Sequence, residues 1–318
     1  MNSSPVCILG MHRSNTSMAA QLLSKSGLYL GPPNQMLPPS DKDNPEGYWE
    51  DRRFMQVNDI LMGMMGGNWH SPPKLPPGWS KHPALGQVRD MATKLVESNK
   101  GHEPWGWKDP RSLITFEFWQ DFLPDLRCVV ILRHPVEVAW SLVNRREHGL
   151  PFDEAIAFWD RHMETMFGAA KPRRYIVSHS MSYFYDAEAE LKRVLDFLEI
   201  EATPELPDLV AKHVRKDLKR SNPVGLAETE RSLPVPVMQK YTSLCAEAGP
   251  VYDRMMLDAD FKQAGEIDSL EKALARIKVL EQFLMDKAEC QRRRGLEFEE
   301  LVRHLQALQR KVGGPGAR

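Results

Sequence analysis

Apolar residues along this chain fall into two kinds of run. Short continuous ones, VCIL at Val6–Leu9, RCVVIL at Arg127–Leu132 and Tyr175-Ile176-Val177, read as buried strands. Trp105-Gly106-Trp107 is a further, shorter strand candidate. Between the strands, apolar positions recur every three or four residues, the period of a helix with one buried face. That spacing predicts helices over residues 18–23 (stopped at Gly27), 54–65, 85–96, 138–145, 152–167, 187–198 and 237–248. Another is expected through Leu113, Phe116, Trp119 and Phe122, with Ser112 as its cap. Strands alternating with helices predict an α/β fold, a parallel sheet flanked by helices on both faces.

From about Leu206 the strand signals stop. Ile267, Leu270, Leu274, Ile277 and Leu284 follow at heptad-like spacing, and Phe298, Leu301, Leu305, Leu308 and Val312 resume it after a polar gap. The expected division is an α/β domain over residues 1–255, a helical hairpin or coiled-coil extension over 264–312, and a disordered tail over 313–318. The extension suits a homodimer or docking to a partner protein rather than chemistry.

Three polar clusters follow strands. After the first strand, residues 10–17 (GMHRSNTS) lead into a helix, and free backbone N–H groups of a first helical turn point at an anion. The stretch fits the frame of a phosphate-binding loop, G-x-x-x-x-G-K-[ST], with Gly10 first and Ser17 last. Asn15 stands at the second glycine, where its tolerance of positive φ lets the loop form. Thr16 stands at the lysine, which leaves Arg13 as the nearest cation and argues against ATP or GTP hydrolysis. Lys108-Asp109-Pro110-Arg111 follows the second strand and Arg133-His134 the third. Ligands of open α/β sheets sit beyond the carboxyl ends of the strands, so all three clusters are expected on one edge.

Charge narrows the partners. The 318 residues hold 42 Lys and Arg against 43 Asp and Glu, a net charge of −1 that carries no global footprint for nucleic acid or membrane. Anion binding must come from local clusters. The basic run of residues 212–220 reads as a solvated helix face. Cys7, Cys128, Cys245 and Cys290 are scattered, which suits a reducing compartment and no structural zinc. With no secretory signal and no apolar run of membrane-spanning length, a cytoplasmic location is expected.

GMHRSNTS, GWKDPR and RCVVILRHPVEVAWSL together resemble the nucleotide-dependent sulfotransferase family, bacterial branch, over roughly Val6 to Ile200. The resemblance implies a P-loop fold and a 3′-phosphoadenosine 5′-phosphosulfate donor, with no metal. It implies that Gly10, His12, Arg13, Ser14, Asn15, Thr16 and Ser17 hold the 5′-phosphosulfate. Arg133 and Ser141, eight residues on, would hold the 3′-phosphate; an arginine fork suits bidentate phosphate contact. Lys108 and Arg13 would neutralise charge during in-line sulfuryl transfer to a carbohydrate or small-molecule hydroxyl.

The general base is left open by the residues. Many relatives have a histidine where this chain has Pro110. Glu50, in NPEGYWED, resembles the glutamate of the carbohydrate-modifying branch, with Asp109 and Glu46 as competitors. His12 and His134 read as neighbours of their arginines. Trp49, Trp69, Trp79 and Trp107 could wall an acceptor site, and Lys219 and Arg220 could close the 3′-phosphate site. Two other functions compete: a P-loop kinase or nucleotide hydrolase, and a weakened nucleotide-binding scaffold acting through its carboxyl-terminal helices, since Asn15 crowds a glycine position.

Overall fold

A computed structural model describes residues 4–40, 44–144, 149–168, 170–214 and 233–256, with 285 and 288. Four strands, β1 (Val6–Leu9), β2 (Gly106–Lys108), β3 (Arg127–Leu132) and β4 (Arg174–His179), form one parallel sheet in the order β2-β1-β3-β4. The α/β architecture is as expected. The two inner strands, β1 and β3, are buried along their whole length, which is why they read as unbroken apolar runs rather than alternating ones.

Helices cover both faces. On one lie α1 (Thr16–Lys25), α8 (Ala187–Leu198) and α9 (Leu206–His213), packed through aliphatic residues such as Leu22, Leu23, Leu191 and Leu195 against Ile8 and Val129. The other face is built by α2 (Arg52–Met64), α3 (Gly86–Asn99), α4 (Phe116–Phe122), α5 (Pro135–Val143), α6 (Phe152–Met163) and α10 (Val235–Cys245). Its core is aromatic, with Phe54 stacked on Trp107 at 4.6 Å and Trp107 tilted against Trp119 at 5.0 Å. A one-turn helix, α7 (Ser182–Tyr185), precedes α8.

Chain direction sets where a ligand can enter. The connection from β1 leads to β2 on one side, and the connection from β3 leads to β4 on the other. The order therefore reverses between β1 and β3, and the loops after these two strands separate to leave a crevice. Gly10 opens the first of these loops because nothing larger fits. A Cβ there would lie 2.8 Å from the backbone oxygen of Ile131.

Several expectations are corrected. Ser112 does not cap a helix: residues Pro110–Leu113 form a 3₁₀ turn capped by Asp109, and the helix proper begins at Phe116. The Ser112 hydroxyl instead accepts from Trp107 Nε1 and Asn58 Nδ2. The strand expected at 105–107 starts one residue later. Among the described residues no helix is long and apolar enough to cross a membrane. The extension expected over 264–312 lies outside the described residues apart from Met285 and Ala288, as do Lys219, Arg220 and the tail.

Candidate functional site

The loop after β1 is built for an anion. Arg13 and Asn15 both adopt positive φ, 69° and 64°, in the left-handed region that turns successive N–H groups inward. Asn15 is thus the residue that takes a glycine's conformation, as its chemistry allows. It precedes α1, whose first turn has no side-chain cap. Ser14 is 1 % exposed, and its hydroxyl has no hydrogen-bond partner among the described residues. An uncapped helix start beside an orphaned buried hydroxyl fits a phosphate or sulfate group.

The loop after β3 is tied to it. Arg133 Nη1 donates to the Arg13 carbonyl at 2.6 Å, and Arg13 Nε donates to Ser141 Oγ at 2.9 Å. Arg133 Nε donates to Glu137 Oε2 at 2.8 Å, one turn along α5. His134 caps α5 by accepting from the Val136 N–H, with Pro135 in the first turn. Arg13, Arg133 and Ser141, 128 residues apart at the extremes, are therefore one hydrogen-bonded group. Glu137 belongs to it and was not singled out from the sequence; Arg133 lies just before the helix, so helical spacing alone does not reveal the pair.

Beyond β2 the polar residues form a second, more deeply buried group. Lys108, 2 % exposed, donates from Nζ to Glu50 Oε1 at 2.6 Å. Arg111 Nη1 lies 3.7 Å from Glu50 Oε2, and Arg111 Nε lies 3.0 Å from Asp59 Oδ1. Burial pushes the Glu50 carboxyl above its ordinary range, with Lys108 opposing the shift. Asp109 faces inward. Its Oδ1 accepts from the Arg111 N–H and Nη1, and its Oδ2 from Asn58 Nδ2 at 2.7 Å. Asn58 Oδ1 accepts in turn from Thr115 and Trp119. With both oxygens engaged and no exposure, Asp109 holds Arg111 and the 3₁₀ turn in place.

The segment before α2 bridges the groups. Ser17 Oγ donates to the Tyr48 carbonyl at 3.2 Å and accepts from Asn44 Nδ2 at 3.1 Å. Two residues later the same segment delivers Glu50 to Lys108. Trp49 lies between them at φ 58°, an unusual conformation for a bulky residue and a sign of local strain. Asn44 and Tyr48 belong to the NPEGYWED stretch but were given no role from the sequence. Glu46 supplies the backbone oxygen that Trp49 Nε1 donates to.

The tryptophans do not form one wall. Trp107 and Trp79 are buried in the aromatic core, at 0 % and 4 % exposure, and Trp49 packs on the aliphatic side. Trp69 alone of the four meets the phosphate loop, 5.0 Å from the His12 ring. Burial holds His162 and His179 neutral, pushing them down to about 4 and about 3. Among the described residues no group of three or more His, Cys, Asp or Glu could hold a metal ion.

The sulfotransferase domain of the Synechococcus PCC 7002 olefin synthase is similar at 18 % identity and a TM-score of 0.43, covering 76 % of this chain and 94 % of that one. The sulfotransferase domain from the curacin biosynthetic pathway gives 18 % and 0.41, covering 64 % and 76 %. A sulfotransferase from Alicyclobacillus acidocaldarius gives 16 % and 0.39, covering 67 % and 92 %. A search of curated proteins finds no match. The sequence profile of the sulfotransferase family matches residues 5–204, a span that holds the phosphate loop, Glu50, Lys108, Arg133 and Ser141. With that span covering most of the chain and all of the sheet, the protein belongs to the sulfotransferase family and is a transferase enzyme of that family.

Proposed function

We propose that this enzyme moves a sulfuryl group from 3′-phosphoadenosine 5′-phosphosulfate to a hydroxyl of a carbohydrate or small-molecule acceptor. The observation that carries the reading is the direct Lys108–Glu50 contact, placed beyond the strand next to a phosphate loop. The bound donor supplies an activated sulfuryl group with a nucleotide phosphate as leaving group. Backbone N–H groups of residues 13–17 and the hydroxyls of Ser14, Thr16 and Ser17 bind the 5′ end. Arg133, held in orientation by Glu137, and Ser141 bind the 3′-phosphate. Arg13 and Lys108 offset charge on the transferring oxygens.

Glu50 accepts the proton of the acceptor hydroxyl. Its raised pKa improves it as a base, and the Lys108 ammonium can move from Glu50 towards the leaving oxygen as that proton arrives. Asp109 acts as a positioning residue through Arg111. A nucleotide triphosphatase reading is disfavoured by Thr16, which stands where such a loop carries the lysine that reaches the β- and γ-phosphates. Calorimetric titration with 3′-phosphoadenosine 5′-phosphate tests the reading. Binding in the micromolar range is expected, and no binding at millimolar nucleotide would sink it.

A further inference from the structure

His162, near the end of α6, takes no part in the reaction above, yet it lies beside the phosphate loop. Its ring is fully buried. Nδ1 sits 2.8 Å from the Phe158 carbonyl one turn back, so Nδ1 carries the ring proton and donates it. Nε2 is then a lone pair, and among the described residues it has no hydrogen-bond partner. A buried acceptor with nothing to accept calls for an explanation that packing alone does not give.

Facing it is His12 of the phosphate loop. The two rings are perpendicular, 84° apart, with centroids 5.8 Å apart. His12 is half-buried, its Nε2 lies inside, and the ring is flanked by Trp69 and stacked on Phe158 at 6.2 Å. A direct N–H···N bond between imidazoles puts the centroids about 5 Å apart, so a shift of under about 1 Å closes the pair. The segment carrying Trp69 is fastened to α6 by Arg161, whose Nη1 donates to the Pro72 carbonyl at 3.0 Å.

The geometry points to His162 as a positioning residue for His12, accepting its Nε2–H so that Nδ1 faces the donor's anionic end. His12 then takes a proton from solvent when that charge is in place, and becomes a cationic hydrogen-bond donor to it. His162 suits the task because burial keeps it neutral down to about pH 4, leaving its lone pair available. The charged and titratable groups around the pair are Arg13 on the loop, His70 next to Trp69, and Arg161 on α6. Asp160 and Glu164, also at this end of α6, are bridged by Lys240. This rests on the donor reading above and adds a residue to it.

The test is imidazole ¹⁵N NMR on the full chain with labelled histidine, with and without 3′-phosphoadenosine 5′-phosphate, using His12→Gln to identify the His12 signals. In nucleotide-free protein, His162 should stay neutral with its proton on Nδ1, and His12 should titrate above the ordinary imidazole value. His162→Phe should lower the His12 midpoint and weaken the nucleotide about tenfold. His162→Gln, whose amide oxygen can accept the same proton, should restore most of both. An unchanged His12 midpoint in His162→Phe overturns the proposal, as does a His162→Gln no better than His162→Phe. Should His162→Phe fail to fold, the wild-type spectrum decides: a protonated His162 at neutral pH, or a His12 midpoint at or below the ordinary value, overturns it. Failure of the nucleotide to bind with the pair intact strikes the donor reading instead, because the pair is seen without nucleotide.

Discussion

The two charged groups that flank β1 differ in their balance. At the end of β3, the guanidiniums of Arg13 and Arg133 are gathered with Ser141, and Glu137 accepts from Arg133. At the end of β2, Lys108 and Arg111 face three carboxylates, Glu50, Asp59 and Asp109. The first group sets guanidiniums beside hydroxyls, Ser14 and Ser141, the composition of an anion site. The second holds Glu50 in a buried place, and that burial raises its pKa, with the charge of Asp109 adding to the shift and Lys108 and Arg111 opposing it. Under the proposed function one edge of the sheet separates anion holding from proton handling, and a single segment, from Asn44 to Glu50, touches both.

That division can be broken from either side. Glu50→Gln keeps the shape and removes the base, so kcat should fall by about 10²–10⁴ while the affinity for 3′-phosphoadenosine 5′-phosphate barely moves. Steady-state rates and calorimetry check this together; a parallel loss of nucleotide affinity would place Glu50 in the donor site. In the wild type, kcat should decline as pH falls through the raised Glu50 value, since protonation removes the base. Lys108→Met should lower kcat by about 10²–10³, the loss expected for one donor to developing charge. Restoration of the rate by a second substitution, Glu50→Gln, would show that Lys108 only offsets the Glu50 charge and that Glu50 is not the base.

On the anion side, Arg133→Ala should weaken the 3′-phosphorylated nucleotide by about 1.5–3 kcal/mol, the worth of a charged hydrogen bond. Adenosine 5′-phosphosulfate, which lacks the 3′ group, should lose less. It should still lose something, because Arg133 also holds the Arg13 carbonyl. Equal losses would move the 3′ site elsewhere.

Acid should loosen the fold through the two neutral imidazoles. His162 and His179 are pushed from the ordinary 6.5 down to about 4 and about 3 by burial, with His134 and Arg133 adding to the effect at His179. As pH drops below about 6.5 the unfolded chain binds protons that the folded chain refuses, so stability falls from there to about pH 4 for His162 and about pH 3 for His179. Denaturant titrations across that range should show the slope, and His162→Gln should flatten it. The smallest effect is at Asn15. Asn15→Ala, unable to favour positive φ, should cost about 1 kcal/mol in thermal unfolding, whereas Asn15→Gly should be near neutral.

Much of the fold was readable because burial wrote it directly. β1 and β3 matched their apolar runs residue for residue, since inner parallel strands have no solvent face to interrupt the pattern. α8 likewise matched 187–198. Ser112 was misread because a small hydroxyl before an apolar run looks the same whether it caps a helix or feeds a buried network. The tryptophans misled for a related reason, as an aromatic ring suits a core and a ligand wall equally.

By itself the sequence determined the phosphate loop, the tolerance of Asn15 for a left-handed turn, and the placement of polar residues after strands. These depend on local backbone chemistry and on period, which neighbours in the chain settle. Tertiary structure alone decided which charges meet. Lys108 finds Glu50 from 58 residues away, Arg13 finds Ser141 across 128, and Ser17 finds the Tyr48 carbonyl across 31. Such pairings follow from strand order and the reversal between β1 and β3, and no spacing along the chain encodes those.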